Sequence, residues 1–288
     1  MKINNLNALK LVSLVIGCLI FFQITFFILL LPAMAFNNQN KLIADLSTDP
    51  LTQKSAKSKT VLFGGIEHSE KLKPLPKMFK KGQSFVGISL KPELAAADLY
   101  WFQLPKWAGG TWQTQSETIT TSTKLNAKLN EPLKCESTVP IGSQLDNKGD
   151  LWDCFIPNII NMANSNSGKI YSTDISCVQL SINNQKYVMK TVSRTNQVDN
   201  DQKIVQALQY EAIDIYTLNQ ANQLRDLVSV TWYDQDGNYL HNDERVKYFT
   251  LIAPFKPINE YDQIDLNASF IEYLQNHGLQ NLIPQLHH

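Results

Sequence analysis

The chain divides by the rhythm of its apolar positions. Residues 11–32 are almost uninterrupted hydrocarbon, residues 36–59 show no period, and beyond residue 84 apolar and β-branched side chains recur in runs broken by turn residues. Segments 84–90, 111–121, 169–182, 186–193, 204–218, 227–233 and 239–253 are rich in Val, Ile, Thr, Tyr and Phe, the composition of a half-buried pleated surface. Asn183-Asn184 and Asp236-Gly237-Asn238 separate neighbouring runs closely enough for hairpins, and residues 196–202 form a looser polar loop. No helix of the length needed for parallel crossovers lies between the runs, so they predict an antiparallel meander rather than a doubly wound sheet. A helical pattern appears only near the end. Asn267 or Ser269 can cap it, Ser269 and Glu272 stand at capping-box spacing, Phe270, Ile271 and Leu274 supply an apolar face, and Gly278 suits the stop. The expected fold is mainly β, closed as a barrel with a C-terminal α-helix, with a β-sandwich as the alternative.

The leader sets the compartment. Lys2 and Lys10 precede the apolar run, which closes on Ala33-Met34-Ala35, the charge and small-x-small pattern of a secretory signal peptide cleaved before Phe36. The run is also long enough to span a bilayer as an uncleaved anchor, and Val15-Ile16-Gly17-Cys18 resembles a lipobox. All three routes place the bulk of the chain outside the cytoplasm. The expected organisation is therefore a signal peptide or membrane anchor over 1–35, a polar tether over 36–83, and a β domain with its helix over 84–288. The tether ends in a segment, 71–81, with five lysines and two prolines, read as a solvated connection. With 26 basic and 26 acidic residues, 43% hydrophobic and 18% charged, the chain lacks the field that draws a protein to nucleic acid. The expected partners are a small hydrophobic ligand and, if the leader stays, the membrane; no cofactor or metal is expected.

Residues 100–112, Tyr-Trp-Phe-Gln-Leu-Pro-Lys-Trp-Ala-Gly-Gly-Thr-Trp, hold three of the five tryptophans. Gly109 and Gly110 permit a sharp turn just before a strand, and strict alternation along that strand puts Trp112, Thr114, Ser116, Thr118 and Thr120 on one face. Gly110-Thr111-Trp112 resembles the Gly-x-Trp start of the calycins, the lipocalin-type barrel superfamily. The surrounding Pro-x-Trp-x-x-Gly-Thr-Trp is similar to lipocalin-like domains of exported bacterial and plastid-lumen proteins. The resemblance implies a lumen with Trp112 at its floor, the hydroxyl row as its wall, and a basic side chain from a late strand, Arg245 or Lys247, stacked on the tryptophan. Arg245 and Phe249 join the row as lumen candidates. It further implies a binding module for a small, partly apolar ligand; a filled barrel serving as a structural or interaction component of the envelope is the competing reading.

Other chemistry is sparse. Beyond the leader stand Cys135, Cys154 and Cys177; the first two flank a turn-rich segment and are the expected disulfide, with Cys177 a buried thiol. Residues 234–238, Asp-Gln-Asp-Gly-Asn, have alternating oxygens but no acidic twelfth residue, and read as a hairpin turn rather than a calcium loop. The five histidines stand singly apart from the terminal His287-His288, and no nucleophile-elbow, zincin or phosphate-loop motif occurs. Glu117, Asp174, Glu211 and Asp214 fall in strand patterns, where outward charges are the usual case and a buried carboxylate pair for acid–base chemistry the rarer one. No catalytic residue is assigned.

Overall fold

This computed structural model describes residues 62–63, 66–85, 99–123, 130, 132–165, 168–261 and 263–284. The leader, most of the polar stretch behind it, most of the expected strand over 84–90 and the terminal histidine pair lie outside them. Two short strands, β1 (Leu62–Phe63) and β2 (Ile66–Glu67), pair with each other. They are followed by β3 (Tyr100–Leu104), β4 (Gly110–Ser122), β5 (Pro132–Ile141), β6 (Gln144–Leu145), β7 (Leu151–Phe155) and β8 (Ile160–Ser165). The long strands come next: β9 (Gly168–Ile182), β10 (Lys186–Val198), β11 (Ile204–Gln220), β12 (Gln223–Asp234) and β13 (Tyr239–Pro254). A two-stranded ladder, β14 (Glu260–Tyr261) with β15 (Ile264–Asp265), leads into helix α1 (Leu266–Asn276).

Eight strands form one antiparallel sheet in the order β5-β4-β13-β12-β11-β10-β9-β8. From β8 to β13 the chain is the expected meander; β13 then turns back onto β4, carrying β5 outside it. The sheet curls into a half-barrel and does not close, because β5 and β8 remain its two edges. Between them the chain detours through β6 and β7, which join β3 in a separate three-stranded sheet, β3-β7-β6.

That small sheet packs on the inner face of the large one. Alternation sends Phe102, Leu104, Leu151 and Phe155 inward, where they meet Trp112, Val139, Tyr187, Met189, Leu224 and Phe249 in one cluster. The opposite faces of β3 and β7 present Trp101 and Trp152 to Phe270 and Leu274 of α1. The tryptophan-rich segment thus sits between two layers, with the odd and even residues of β3 feeding different cores. Within it, Gly110 has φ +146°, and a Cβ there would stand 2.5 Å from Leu251 Cδ1, so the first residue of the Gly-x-Trp motif must be glycine for β4 to lie against β13.

Helix α1 begins earlier than either expected cap. The Asp265 side chain accepts a hydrogen bond from the Ala268 N–H at 2.9 Å, while Ser269 is buried inside the helix and faces Trp101 Nε1. Gly278, at φ +72°, follows the helix end as expected.

The last part of the expected tether packs against the β domain. Residues 66–85 run as a strap along the outer face of the half-barrel, with Leu75 and Phe85 buried against Val198, Ile204 and Ala207. Leu72 and Leu75 donate backbone hydrogen bonds to Gly237 and Gln235, and the Arg194 guanidinium lies 3.5 Å over the Phe79 ring. Gly237 (φ +81°) forms the β12–β13 turn under the strap; a Cβ there would fall 2.0 Å from Leu72 O. The same turn settles the calcium-like motif: the Asp234 carboxylate accepts from the backbone N–H groups of Asp236 and Asn238 and closes the hairpin.

Candidate functional site

Most of the expected lumen row does not share a face. Trp112 and Thr114 point inward, and the indole Nε1–H of Trp112 donates to Ala108 O at 2.8 Å. Between Thr114 and Ser116 the pairing with β5 slips, and the Thr114 hydroxyl donates to Ser116 O at 3.0 Å across the irregularity. Such a bulge inverts the alternation beyond it. Ser116 is consequently exposed, Thr118 and Thr120 fall on the outer side, and Glu117 and Ile119 take the inward positions. The hydroxyl wall expected from strict alternation is replaced by a buried carboxylate.

That carboxylate meets the two late-strand cations. Arg245 and Lys247 are both 1% exposed, and in register they stand opposite Ile119 and Glu117, whereas Trp112 stands opposite Leu251. Arg245 donates to Glu117 Oε1 at 3.1 Å and to Asp243 Oδ2 at 3.3 Å, and Lys247 Nζ lies 3.3 Å from Glu117 Oε2. Asp174, Asp214 and Asp226 face the same interior from β9, β11 and β12. Ser193 donates to Asp174 Oδ1 at 2.5 Å, while neither oxygen of Asp226 has a hydrogen-bond partner among the described residues. Burial pushes the carboxyls of Asp174 and Asp226 well above the usual range. Asp214 is also lifted by burial, to about 6, with Lys247 and Arg245 holding it down. Four carboxylates read as more commonly outward, Glu117, Asp174, Glu211 and Asp214, are all buried.

Beside this charged belt lies a cavity of about 60 Å³. Phe102, Phe155, Tyr187, Tyr216 and the expected Phe249 wall it, with the rings of Tyr187 and Tyr216 stacked 4.6 Å apart. Two carboxylates reach it. Asp153 is saturated by Ser143 Oγ at 2.5 Å and by the N–H groups of Gly142 and Cys154; Asp214 takes no hydrogen bond from any described residue.

The expected disulfide is not formed. Cys135 on β5 faces the interior and Cys154 on β7 faces the α1 layer, so alternation in two different sheets points their side chains to different cores, and both are free thiols, as is Cys177. Burial pushes all three thiols up, Cys177 to about 12, so none is a ready nucleophile.

A second constellation lies on the outer face, unforeseen from the lone His68. Its Nδ1 meets Glu211 Oε1 at 3.1 Å and its Nε2 meets Ser229 Oγ at 2.8 Å, the connectivity of a Ser-His-Glu triad. Ser229, however, is 0% exposed in the middle of the sheet, and its oxygen accepts a hydrogen bond from Asn242 Nδ2 at 3.0 Å. A nucleophile needs substrate access, which this serine lacks. Ser69 donates to Glu211 from both N and Oγ, Lys190 Nζ lies 3.0 Å away, and Tyr233 Oη donates to Ser69 O. These bonds fasten the strap to the sheet.

Among the described residues no three His, Cys, Asp or Glu side chains converge on a metal position, and no helix is long and apolar enough to cross a membrane. Comparison with protein-family models, curated proteins and solved structures gives no match for this chain.

Proposed function

We propose that this is an exported, lipocalin-like binding module that holds a small, partly apolar ligand against the inner face of its half-barrel. The observation that carries the reading is the aromatic cavity between the two sheets, with one carboxylate in its wall that takes no hydrogen bond from the described residues. Pockets of this make-up, mostly apolar with a few placed polar groups, are what small-molecule binding requires. A cavity of about 60 Å³ admits only a small ligand. The calycin resemblance of Gly110-Thr111-Trp112 and the signal-like leader support an extracytoplasmic carrier, soluble after cleavage at Ala35 or held to the membrane by residues 1–35.

Native mass spectrometry of protein purified from its own host, before and after solvent extraction, tests the reading. A retained small mass, or uptake of an apolar compound followed by tryptophan quenching, is the expected result. A chain that neither retains nor takes up any small molecule ends it.

One observation favours a structural role. Beyond its pairing with β8, which ends at Thr173, β9 presents Val178, Leu180 and Ile182 to solvent on a strand with no outer neighbour among the described strands. Such an edge is a template for strand addition by another chain. In-cell cross-linking that captures one envelope protein, lost on Val178→Lys, would support the scaffold reading.

A further inference from the structure

Asp214 stands apart from the other carboxylates around the chamber. It projects from the middle of β11, between Met189 of β10 and Val228 of β12, and is only 9% exposed, yet it lines the cavity and receives no hydrogen bond from any described residue. Buried carboxylates are normally satisfied by donors, as Asp153 is on the facing sheet. The neighbouring cations are already engaged, Arg245 by Glu117 and Asp243 and Lys247 by Glu117. Around the inner face, Glu117, Asp174, Asp214, Asp226 and Asp243 stand against Arg245 and Lys247, so the described interior carries more acidic than basic groups. The remaining walls are π-faces: the stacked Tyr187 and Tyr216, with Phe102, Phe155 and Phe249. An open carboxylate among aromatic rings is complementary to an organic cation, whose N–H groups satisfy the oxygens while its carbon body lies on the rings. A metal ion fits poorly, because no three ligating side chains converge there among the described residues.

We infer that the cavity receives a small primary ammonium ligand, a protonated amine on a short hydrocarbon body, with Asp214 as its anchor. This rests on the binding-module reading and sharpens it to a chemical class. The carboxylate accepts the ammonium N–H groups, and the aromatic walls enclose the chain. An anionic ligand of the same body is repelled by the same group, and a neutral one can donate to it but forgoes the attraction between opposite charges.

The test uses three probes that share one carbon chain: pentylamine, 1-pentanol and pentanoate, titrated into the full chain at neutral pH and followed by saturation-transfer NMR. The amine is expected to bind about tenfold or more tightly than the alcohol, with the carboxylate weakest. Asp214→Asn should bring the amine down to the level of the alcohol. Equal binding of amine and alcohol, stronger binding of pentanoate, or an amine affinity indifferent to Asp214→Asn overturns the ammonium assignment and leaves the binding module standing. Failure of all three probes to bind overturns both. The probe series on the natural chain decides the matter even if the variant does not fold.

Discussion

Glu211 and Asp214 lie three residues apart on β11, both nearly out of reach of water, and their acidities move in opposite directions. Burial raises each. At Glu211, on the outer face, that rise is more than offset by hydrogen bonds from His68, from Ser69 twice over and from Lys190, and the carboxyl falls to about 2. At Asp214, on the inner face, no described residue donates, and the pull of Lys247 and Arg245 still leaves it raised to about 6. Depth alone therefore does not decide what a buried acid is for. Saturated with donors, it is a fastening; left open beside a cavity, it is a receptor.

The sharpest way to break this contrast is at the fastening. Glu211→Ala leaves His68, Ser69 and Lys190 facing a buried site without their acceptor. It is expected to destabilise the protein by about 3 to 5 kcal/mol in denaturant titrations. Limited proteolysis should then cut within residues 66–85, which the natural chain protects.

Titration separates the two acids without mutation. Asp214 has a folded-state value above its ordinary one, so the folded state holds the extra proton, and stability should rise as pH falls through about 6 toward the ordinary range near 4. Asp174, Asp226 and Asp153 act in the same direction. Glu211 has the opposite sign: its contribution is intact above its unfolded value near 4.5 and is lost as pH falls toward about 2. The melting temperature should therefore climb on mild acidification and collapse below about pH 4. Asp214→Asn should remove its own part of the climb, roughly 2 to 3 kcal/mol, and leave in place both the part due to the other buried aspartates and the collapse.

A smaller effect is expected at Asp226, whose oxygens have no hydrogen-bond partner among the described residues. Asp226→Leu removes two buried acceptors at similar volume and should stabilise by about 1 to 2 kcal/mol at neutral pH, read by thermal melting. A loss of stability there would mean that Lys247 depends on this carboxylate. Smallest of all is Ser116→Ala, which should shift stability by less than about 0.5 kcal/mol, since the bulge turns that side chain to solvent. A core-sized loss would restore the uninterrupted row.

The long strands were legible because each carries its own alternation: β4 and β9 through β13 fall where Val, Ile, Thr and Tyr recur between turn residues. β5 and β8 were not, since Pro132, Pro140, Lys134 and a run of asparagines mask a pattern that depends on the neighbouring strand. The closed barrel failed for a related reason. Whether two edges meet is a property of strands that never touch in sequence, and the detour through β6 and β7 carries no local sign.

Of the expected lumen residues, Trp112, Thr114, Arg245 and Phe249 lie on the inner face. Ser116, Thr118 and Thr120 were lost to one irregularity, which a single sequence does not announce. A signal for the charged belt did exist. Asp243, Arg245, Lys247 and Phe249 alternate on one side of β13, and three charges sharing a face with a phenylalanine point inward rather than out. The strap escaped because its contacts are all distant: its prolines hold it extended, and neither Leu75 nor His68 has a periodic neighbour.

In a closed barrel the strand number and stagger fix the bore. The gap between β5 and β8 removes that constraint, so the width of this interior is set by whatever stands in the opening, the β3-β7-β6 ladder with Phe102, Leu104 and Phe155 on its inner side. The gauge of the chamber is written in a few side chains, and new sizes of guest are within reach of single substitutions that leave every rung of the eight-stranded ladder untouched.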